Sequence, residues 1–312
     1  EEILTKVQLE RLEKARKSEI EPVFIINEKE AIKNEKGIKK GMKTWHFKAE
    51  NVRDFAWASS AKFVWDAMLH EQPGAQYDSV LAMSFYPNEA EPVWSKYSTQ
   101  AVVHTLDVYS RFSFDYPYPT AQSVNTWESG GMEYPMICFN YGRPDKKGNY
   151  SAMTKWSMIS VIIHEVGHNF FPMIINSDER QWSWMDEGLN TFLETKTSME
   201  WYPEMPIQAG TPETIKDFMS GEKDFMRPIM TNSENILFFG NNAYSKPSAA
   251  LFLLRETIMG PELFDYSFKE YARRWAFKHP KPADFFRTME DASAIDLDWF
   301  WRGWFYTTDH VD

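Results

Sequence analysis

Two histidines and a glutamate have the spacing of a metal-binding hydrolase. His164, Glu165 and His168 form an H-E-x-x-H signature. On a helix, side chains four positions apart lie on one face, so both imidazoles can bind one metal ion with Glu165 beside it. Residues 156–163 are strongly apolar, and a buried helix there makes three polar side chains costly unless they have partners such as a metal ion. A pair of ordinary core or surface histidines is the alternative interpretation.

A third metal ligand is expected after this signature. A catalytic zinc usually has three protein ligands and keeps a fourth position for water or substrate. Glu187 follows His168 after eighteen intervening residues. The apolar spacing of residues 184–194 predicts a second helix, with Glu187 in its first turn. We therefore expect one Zn²⁺ per chain, bound by His164, His168 and Glu187.

Glu194 is a candidate to accept a hydrogen bond from a metal-bound histidine. It lies seven positions after Glu187, about two helical turns, and therefore on the same face of the predicted helix. Metal-bound histidines usually donate their second ring N–H to an acceptor. Glu194 is thus expected to hold His164 or His168, and a glutamate on the helix surface is the competing explanation.

The composition limits the class of function. A length of 312 residues suits one large domain or two smaller ones, and the single cysteine, Cys138, excludes an intrachain disulfide. A net charge of −11 argues against nucleic acid as the partner, because phosphate binding needs clustered Lys and Arg. The sequence contains no stretch of eighteen apolar residues, so no transmembrane segment is predicted. The sequence indicates neither an oligomeric state nor a cellular compartment.

Sequence periodicity predicts strands before the zinc signature and helices after it. Strands are predicted at 44–50, 63–65, 80–85, 122–127 and 133–140, with a long helix at 94–114. After residue 194 the chain is mostly helical, and a helix is expected over 248–259. Strands followed by helices predict an α+β fold.

Two further motifs give the chain a resemblance to a known family. Gly130-Gly131-Met132-Glu133-Tyr134 precedes the zinc signature, and Tyr244-Ser245-Lys246-Pro247 begins 76 residues after His168. Together with the two metal-ligand segments, and in this order, they resemble the motifs of the gluzincin zinc aminopeptidases of the aminopeptidase N and leukotriene hydrolase type. The resemblance covers roughly residues 44–312 and implies a thermolysin-like catalytic domain.

The resemblance implies a role for each motif residue. Glu165 would be the general base, and Tyr244 would donate a hydrogen bond to the oxyanion. Glu133 would pair with the free α-ammonium of the substrate, so that the enzyme removes one residue from the N-terminus. The glycines would let the backbone approach the substrate closely. The other substrate-binding residues of this motif are Gly130, Gly131 and Met132.

Other interpretations of these residues stay open at this point. Glu133 could be a strand residue that faces solvent, and Tyr244 could be an aromatic side chain packed at a helix start. Tyr134 stands where the family has Asn and is expected to reshape the subsite next to Glu133. Pro247 stands where the family has Gly. Proline suits the first turn of a helix, so Pro247 is expected to leave Tyr244 in place.

The resemblance also suggests a domain organisation. Residues 1–56 are expected to be a charged helix and linker followed by the last strand or strands of an otherwise missing N-terminal β-domain, and residues 57–312 to be the catalytic domain. The chain starts at Glu1 without a signal-like segment, so we expect a processed or truncated piece in which no targeting signal is visible.

The function predicted from the sequence is zinc-dependent removal of N-terminal residues from peptides with a free N-terminus. One alternative is a binding or scaffold module that retains zinc without turnover. Another is an epoxide hydrolase of the leukotriene type that uses the same zinc.

Overall fold

The computed structural model describes residues 3–37, 42, 44–221 and 223–309. These residues fall into two compact units. Of the described residues, those up to 107 and those from 115 to 169 form the first unit, and those from 108 to 114 and from 170 onward form the second. All strands of the described sheet belong to the first unit, and the second unit is mainly helical. The predicted α+β class is therefore confirmed.

The first unit is built on a six-stranded mixed sheet in the order β1-β2-β3-β4-β6-β5. Strand β3 pairs in parallel with β4, and β4 with β6, whereas the other pairs are antiparallel. Strand β5 thus lies at one edge of the sheet. The strands are β1 Val23–Ile26, β2 Val64–Glu71, β3 Ser79–Tyr86, β4 Thr120–Asn125, β5 Gly131–Tyr134 and β6 Ile137–Asn140.

Helices of the first unit surround this sheet. They are α1 Lys6–Ala15, α2 Glu28–Lys36, most of α3 Val93–Phe112, and α4 Ala152–Gly167, with a short 3₁₀ turn at Asn88–Ala90. Helix α4 begins where the Ser151 side chain accepts a hydrogen bond from the Thr154 backbone N–H at 3.0 Å, as an N-cap does. It packs against β4, β5 and β6. The zinc signature is therefore fixed beneath the edge of the sheet.

Two strand predictions were wrong. Residues 44–50 form no strand; Trp45 and Phe47 are exposed and stack with ring centroids 6.1 Å apart. Their alternating apolar residues thus cover no core. The predicted strand 133–140 is a hairpin of β5 and β6, with Pro135 and Met136 between the two strands. Met136 has a positive φ of 64°, which a sequence pattern for a continuous strand does not foresee.

The predicted domain boundary after residue 56 stays a prediction. Strand β1, from the segment that we assigned to a separate β-domain, pairs with β2 as the other edge of the first unit's sheet. The compact units divide near residues 107 and 169 instead.

The second unit is a set of helices around an aromatic core. The helices are α5 Leu189–Trp201, α6 Lys216–Met219, α7 Lys246–Leu253, α8 Pro261–Trp275, α9 Pro282–Ser293 and α10 Asp298–Tyr306. Short 3₁₀ turns are Pro212–Ile215, Lys223–Phe225 and Ser233–Asn235. Rings of Trp184, Phe192, Phe268 and Phe285 are fully buried among the helices. No helix in the described part of the chain is both long and apolar enough to cross a membrane.

π-Helical turns flank two of these helices. Trp184–Gly188 leads into α5, Gly240–Ser245 leads into α7, and Leu254–Met259 continues α7, so the helix predicted over 248–259 changes its winding midway. An irregular turn, Asn169–Ile174, follows the zinc signature. π-Helical turns are rare and often occur at functional sites.

Candidate functional site

The two histidines of the first unit point at one position. The Nε2 atoms of His164 and His168 are 3.0 Å apart, and the two rings are perpendicular. Two nitrogens that bind one tetrahedral zinc at about 2.0–2.1 Å are about 3.3 Å apart. His168 is buried and His164 is half-buried. The pair therefore fits a shared metal ion.

The side chain of Glu165, a residue of α4, lies against strand β5. Its side chain is only 5% exposed. A Cβ atom added at Gly131 would lie 2.3 Å from the Glu165 Oε1 atom. The backbone of β5 thus passes directly against the Glu165 carboxylate, which it can do because residue 131 has no side chain.

Glu133 faces the same side of the sheet as Gly131. Successive residues of a strand point to opposite faces, so residues 131 and 133 share the face toward Glu165. Glu133 pairs across the hairpin with Cys138. Burial raises the pKa of the Cys138 thiol, and the nearby charges of Glu165 and Glu133 raise it further. The predicted base and the predicted amine-binding residue therefore lie near one buried thiol.

Tyr134 points to the other face of the hairpin. By the same alternation its side chain lies on the side opposite Glu133, where its ring meets Phe139 edge-on with centroids 6.0 Å apart. Tyr134 therefore packs on the hairpin. The expected reshaping of the subsite by this residue has no support from the position of its ring.

Asn169 is a site-supporting residue that the sequence analysis missed. Its Oδ1 accepts hydrogen bonds from the Met136 N–H at 2.9 Å and the Tyr116 hydroxyl at 3.3 Å. Its Nδ2 donates to the Val166 carbonyl at 3.0 Å. Asn169 thus ties the end of α4 to the hairpin that carries Glu133. The signal in the sequence was a polar residue directly after His168 and before an apolar run.

In the second unit, the turns that carry Glu187 and Tyr244 are packed together. Both residues are half-buried and lie in π-helical turns. A Cβ atom at Gly188 would lie 2.5 Å from the Pro247 Cγ atom and 3.0 Å from the Ala243 carbonyl oxygen. The glycine after Glu187 therefore permits the close approach of the segment around Tyr244.

Pro247 and Lys246 support this second group. Pro247 lies in the first turn of α7, as expected, and its ring fills the space beside Gly188. Lys246 is buried, and its Nζ donates to the Thr307 carbonyl at 3.5 Å. Burial lowers the pKa of Lys246 to about 8. This motif lysine thus packs inside the second unit.

The remaining predicted residues have clear positions but untested roles. Gly130 precedes β5 with a φ of +92°, and Met132 is an exposed residue of β5. Glu194 is half-buried in α5, and its pairing with a metal-bound histidine stays a prediction. The structure thus groups His164, His168, Glu165, Gly131 and Glu133 in the first unit, and the turns of Glu187 and Tyr244 in the second.

Comparison with known proteins gives a consistent family. Residues 97–304 match the Peptidase family M1 domain. Aminopeptidase M1-D of Oryza sativa subsp. japonica is 24% identical over 210 residues, which cover 64% of this chain and 24% of that protein. Human glutamyl aminopeptidase is 22% identical over 240 residues, covering 71% and 25%. The chain therefore spans about a quarter of the length of these relatives.

A solved structure shares the fold. The M1 zinc metallopeptidase from Deinococcus radiodurans superposes with a TM-score of 0.58 at 16% sequence identity, over 80% of this chain and 53% of that one. This likeness supports the predicted peptidase-type α+β architecture.

Proposed function

The chain belongs to peptidase family M1, and from this membership we propose that it hydrolyses the N-terminal peptide bond of peptides in a zinc-dependent reaction. The observation that carries the proposal is the position of Glu133. It shares a strand face with Gly131, whose backbone lies against Glu165. A base and an anionic group on one face can act on the two ends of a single N-terminal residue.

The proposed metal ligands are His164, His168 and Glu187. They offer two imidazole nitrogens and one carboxylate oxygen, a donor set that catalytic zinc sites use. Bound zinc would polarise the scissile carbonyl and lower the pKa of the attacking water. The close spacing of the two Nε2 atoms supports this assignment.

Glu165 is the proposed general base. Its carboxylate takes a proton from the attacking water and delivers it to the leaving amine. Burial between α4 and the β5 backbone limits the conformations of this side chain. The proton acceptor is thereby held in one place during the reaction.

Glu133 is proposed to select substrates with a free N-terminus. A desolvated ammonium needs a charged acceptor, and a carboxylate provides a strong charge-assisted hydrogen bond. An internal peptide bond has no such charge, so it leaves Glu133 without its partner and is disfavoured. The half-buried position of Glu133 strengthens that discrimination.

Tyr244 is proposed to donate a hydrogen bond to the carbonyl oxygen as negative charge develops on it. Removing one such donor typically lowers the rate about 100- to 1000-fold. Tyr244→Phe is therefore expected to lower kcat by that factor with a small change in KM.

The proposal is tested with paired substrates that differ only at the amine. The zinc-loaded protein is incubated with aminoacyl chromogenic amides and with the same compounds after N-acetylation. Cleavage of the free-amine series alone is the expected result. Equal cleavage of both series contradicts the role of Glu133, and no cleavage of either series, with zinc bound, favours a binding module.

A further inference from the structure

A row of polar side chains crosses one face of the sheet in the first unit. Strand pairing places Asp66 opposite Ser84, and Ser84 beside Ser123. It also places Ser123 beside Cys138, and Cys138 opposite Glu133. Paired residues of neighbouring strands point to the same face of a sheet. These five residues, the polar row, thus run from β2 to the proposed amine acceptor on β5.

Two residues of α3 connect the first half of the polar row. The Thr99 hydroxyl donates to the Asp66 carboxylate, and its oxygen lies 2.7 Å from the Ser84 Oγ atom. The Ser98 hydroxyl lies 2.8 Å from Ser84 Oγ and donates to Ser123 Oγ at 3.4 Å. All of these residues are at most 2% exposed. Buried polar groups are costly without partners, and here each of them has one.

Asn140 of β6 connects the second half of the polar row. Its Nδ2 atom donates to Ser123 Oγ at 2.8 Å and to Cys138 Sγ at 3.2 Å. The Cys138 thiol donates to the Gln122 carbonyl at 3.4 Å. Both Asn140 and Cys138 are fully buried. Side-chain bonds therefore fix β6 to β4, in addition to the backbone bonds between these two strands.

The two anchored residues of β6 are the cross-strand neighbours of site residues. Cys138 pairs with Glu133, and Asn140 pairs with Gly131, whose backbone lies against Glu165. The Cβ atoms of such a pair are typically about 4.5–5.5 Å apart. Strand β5 is an edge strand that pairs with β6, so its position depends on that of β6. A shift of β6 therefore moves Glu133 relative to α4.

We propose that Ser123, Asn140 and Cys138 are positioning residues, which hold the hairpin so that Glu133 lies where the α-ammonium of the substrate binds. The inference rests on the proposed function, because it takes Glu133 to be the amine acceptor. A buried polar network whose members are all bonded makes the local structure rigid and specific. An acceptor that is held rigidly distinguishes a free amine from an acetylated one better than a mobile acceptor does.

The test measures amine selectivity, defined as the Kd of N-acetyl-Leu-Ala divided by the Kd of Leu-Ala. Both constants are determined by calorimetry with zinc-loaded Glu165→Gln protein, so the measurement does not depend on turnover. Glu133→Gln in this background shows how much selectivity the acceptor supplies. We expect a fall of about 10- to 100-fold, the effect of losing one hydrogen bond to a charged group.

Ser123→Ala and Ser84→Ala form a matched pair in the same background. Both serines are fully buried in the polar row and both bond Ser98, so both variants should lower Tm. Ser123 also accepts the bond from Asn140. Ser123→Ala should therefore lower amine selectivity about 3- to 10-fold, as for one neutral hydrogen bond, and Ser84→Ala should leave it unchanged. Equal amine selectivity in the two variants overturns the proposal.

Cys138 provides a second test with its own rescue. Cys138→Ala removes the acceptor of Asn140 and the donor to Gln122, so it should also lower amine selectivity. Cys138→Ser keeps a group that can accept and donate at this position, and it should retain most of the selectivity. An equal loss in Cys138→Ala and Cys138→Ser overturns the role of these hydrogen bonds.

Failure of this inference is distinguishable from failure of the proposed function. If Glu133→Gln lowers amine selectivity but Ser123→Ala and Cys138→Ala do not, Glu133 remains the amine acceptor and the positioning role is overturned. If Glu133→Gln leaves amine selectivity unchanged, the role of Glu133 is overturned and the positioning role with it. Cleavage of free-amine substrates by the wild-type protein tests the proposed reaction independently of both results.

Discussion

The two units hold their proposed catalytic residues by different means. In the first unit, His164, Glu165 and His168 lie at the end of a regular α-helix, and the Asn169 amide ties that end to the hairpin. In the second unit, Glu187 and Tyr244 lie in π-helical turns that approach each other where Gly188 has no side chain. The first arrangement combines these hydrogen bonds with the close approach of Gly131 to Glu165, whereas the second depends on close packing alone.

Because of this difference, we expect substitutions at the two supports to lower activity by different amounts. A hydrogen-bonded support can lose one bond and keep the remaining ones, so its loss is graded. A close backbone approach has no room for even one methyl group, because a packed interior cannot absorb it without displacement. We expect substitutions at the second support to be the more damaging for activity.

The largest effect is expected from the base itself. Glu165→Gln keeps the shape of the side chain and removes the proton acceptor, so kcat should fall about 1000-fold or more. Zinc content should stay near that of the wild-type protein, because Glu165 is not a proposed ligand. Loss of zinc in this variant, measured by atomic absorption, contradicts the assignment of Glu165.

Gly188→Ala should have the next largest effect. The new methyl group must displace the Pro247 ring and the Ala243 carbonyl, which moves the turns of Glu187 and Tyr244 apart. A displacement of about 1 Å can cost about 100-fold in rate, and kcat/KM is the measurement.

Two further variants test this explanation. Gly303→Ala, at an unhindered position of α10, is the control and should keep wild-type kcat/KM. Adding Pro247→Gly to Gly188→Ala removes the ring and should restore part of the activity. Full activity in Gly188→Ala alone would show that the close approach has no catalytic importance.

Asn169→Ala should have a smaller effect, on the first unit. The change deletes three hydrogen bonds and leaves the buried Met136 N–H without its acceptor, which costs about 1–3 kcal/mol of stability. Because the hairpin then moves relative to α4, we expect kcat/KM for free-amine substrates to fall about 10-fold. This factor corresponds to about 1.4 kcal/mol in the activation free energy.

Tyr116→Phe is the graded companion of that variant. It removes the hydroxyl that contacts the Asn169 Oδ1 atom and the Thr120 carbonyl, but it keeps the Met136 N–H bond to Asn169, so its losses of Tm and of kcat/KM should both be smaller. If Asn169→Ala lowers Tm but leaves kcat/KM unchanged, the residue stabilises the unit without positioning the site.

The protonation of two buried groups should have the smallest effect on activity. It should change the stability of the folded protein, in opposite directions for the two groups as pH rises. In the first unit, burial raises the pKa of Asp66 to about 7. The folded state then holds a proton that the unfolded state has lost, so stability falls as pH rises from about 4 to about 7. In the second unit, the pKa of Lys246 is lowered to about 8, so stability rises between about pH 8 and about pH 10.

Thermal unfolding of matched variants separates the two contributions. Between pH 4 and 7, the Tm of the wild-type protein should fall relative to that of Asp66→Asn. Only above pH 8 should the Tm of the wild-type protein rise relative to that of Lys246→Met. Parallel curves in either window contradict the corresponding burial effect.

The sequence predicted the first group of residues better than the second. An i, i+4 pair on an apolar helix follows from regular geometry, so the histidine pair in α4 was predictable, as were the strands around residues 64 and 80. The face of β5 was not, because the prediction of one strand over 133–140 missed the turn at Met136. Pro135 was the available signal, because proline favours the second position of a tight turn, whereas a methionine at positive φ gave none.

The second group depends on contacts that a sequence pattern does not contain. Residues 184–194 were predicted as a helix, but the π-helical winding at Glu187 departs from the assumed helical repeat. The packing of Gly188 on Pro247 joins positions far apart in the chain. Motif order indicated that both segments belong to one site, and only the fold of the second unit explains the glycine and the proline.

We propose that His164, His168 and Glu187 bind the zinc. Asp186 is the carboxylate next to Glu187 in the chain, so the adjacent substitutions Glu187→Gln and Asp186→Asn form a matched pair. Zinc per chain is measured after equilibrium dialysis against a zinc buffer. We predict about one zinc in the wild type and in Asp186→Asn, and zinc affinity at least about 10-fold weaker in Glu187→Gln. Zinc retained by Glu187→Gln and lost by Asp186→Asn would show that Glu187 is not a ligand.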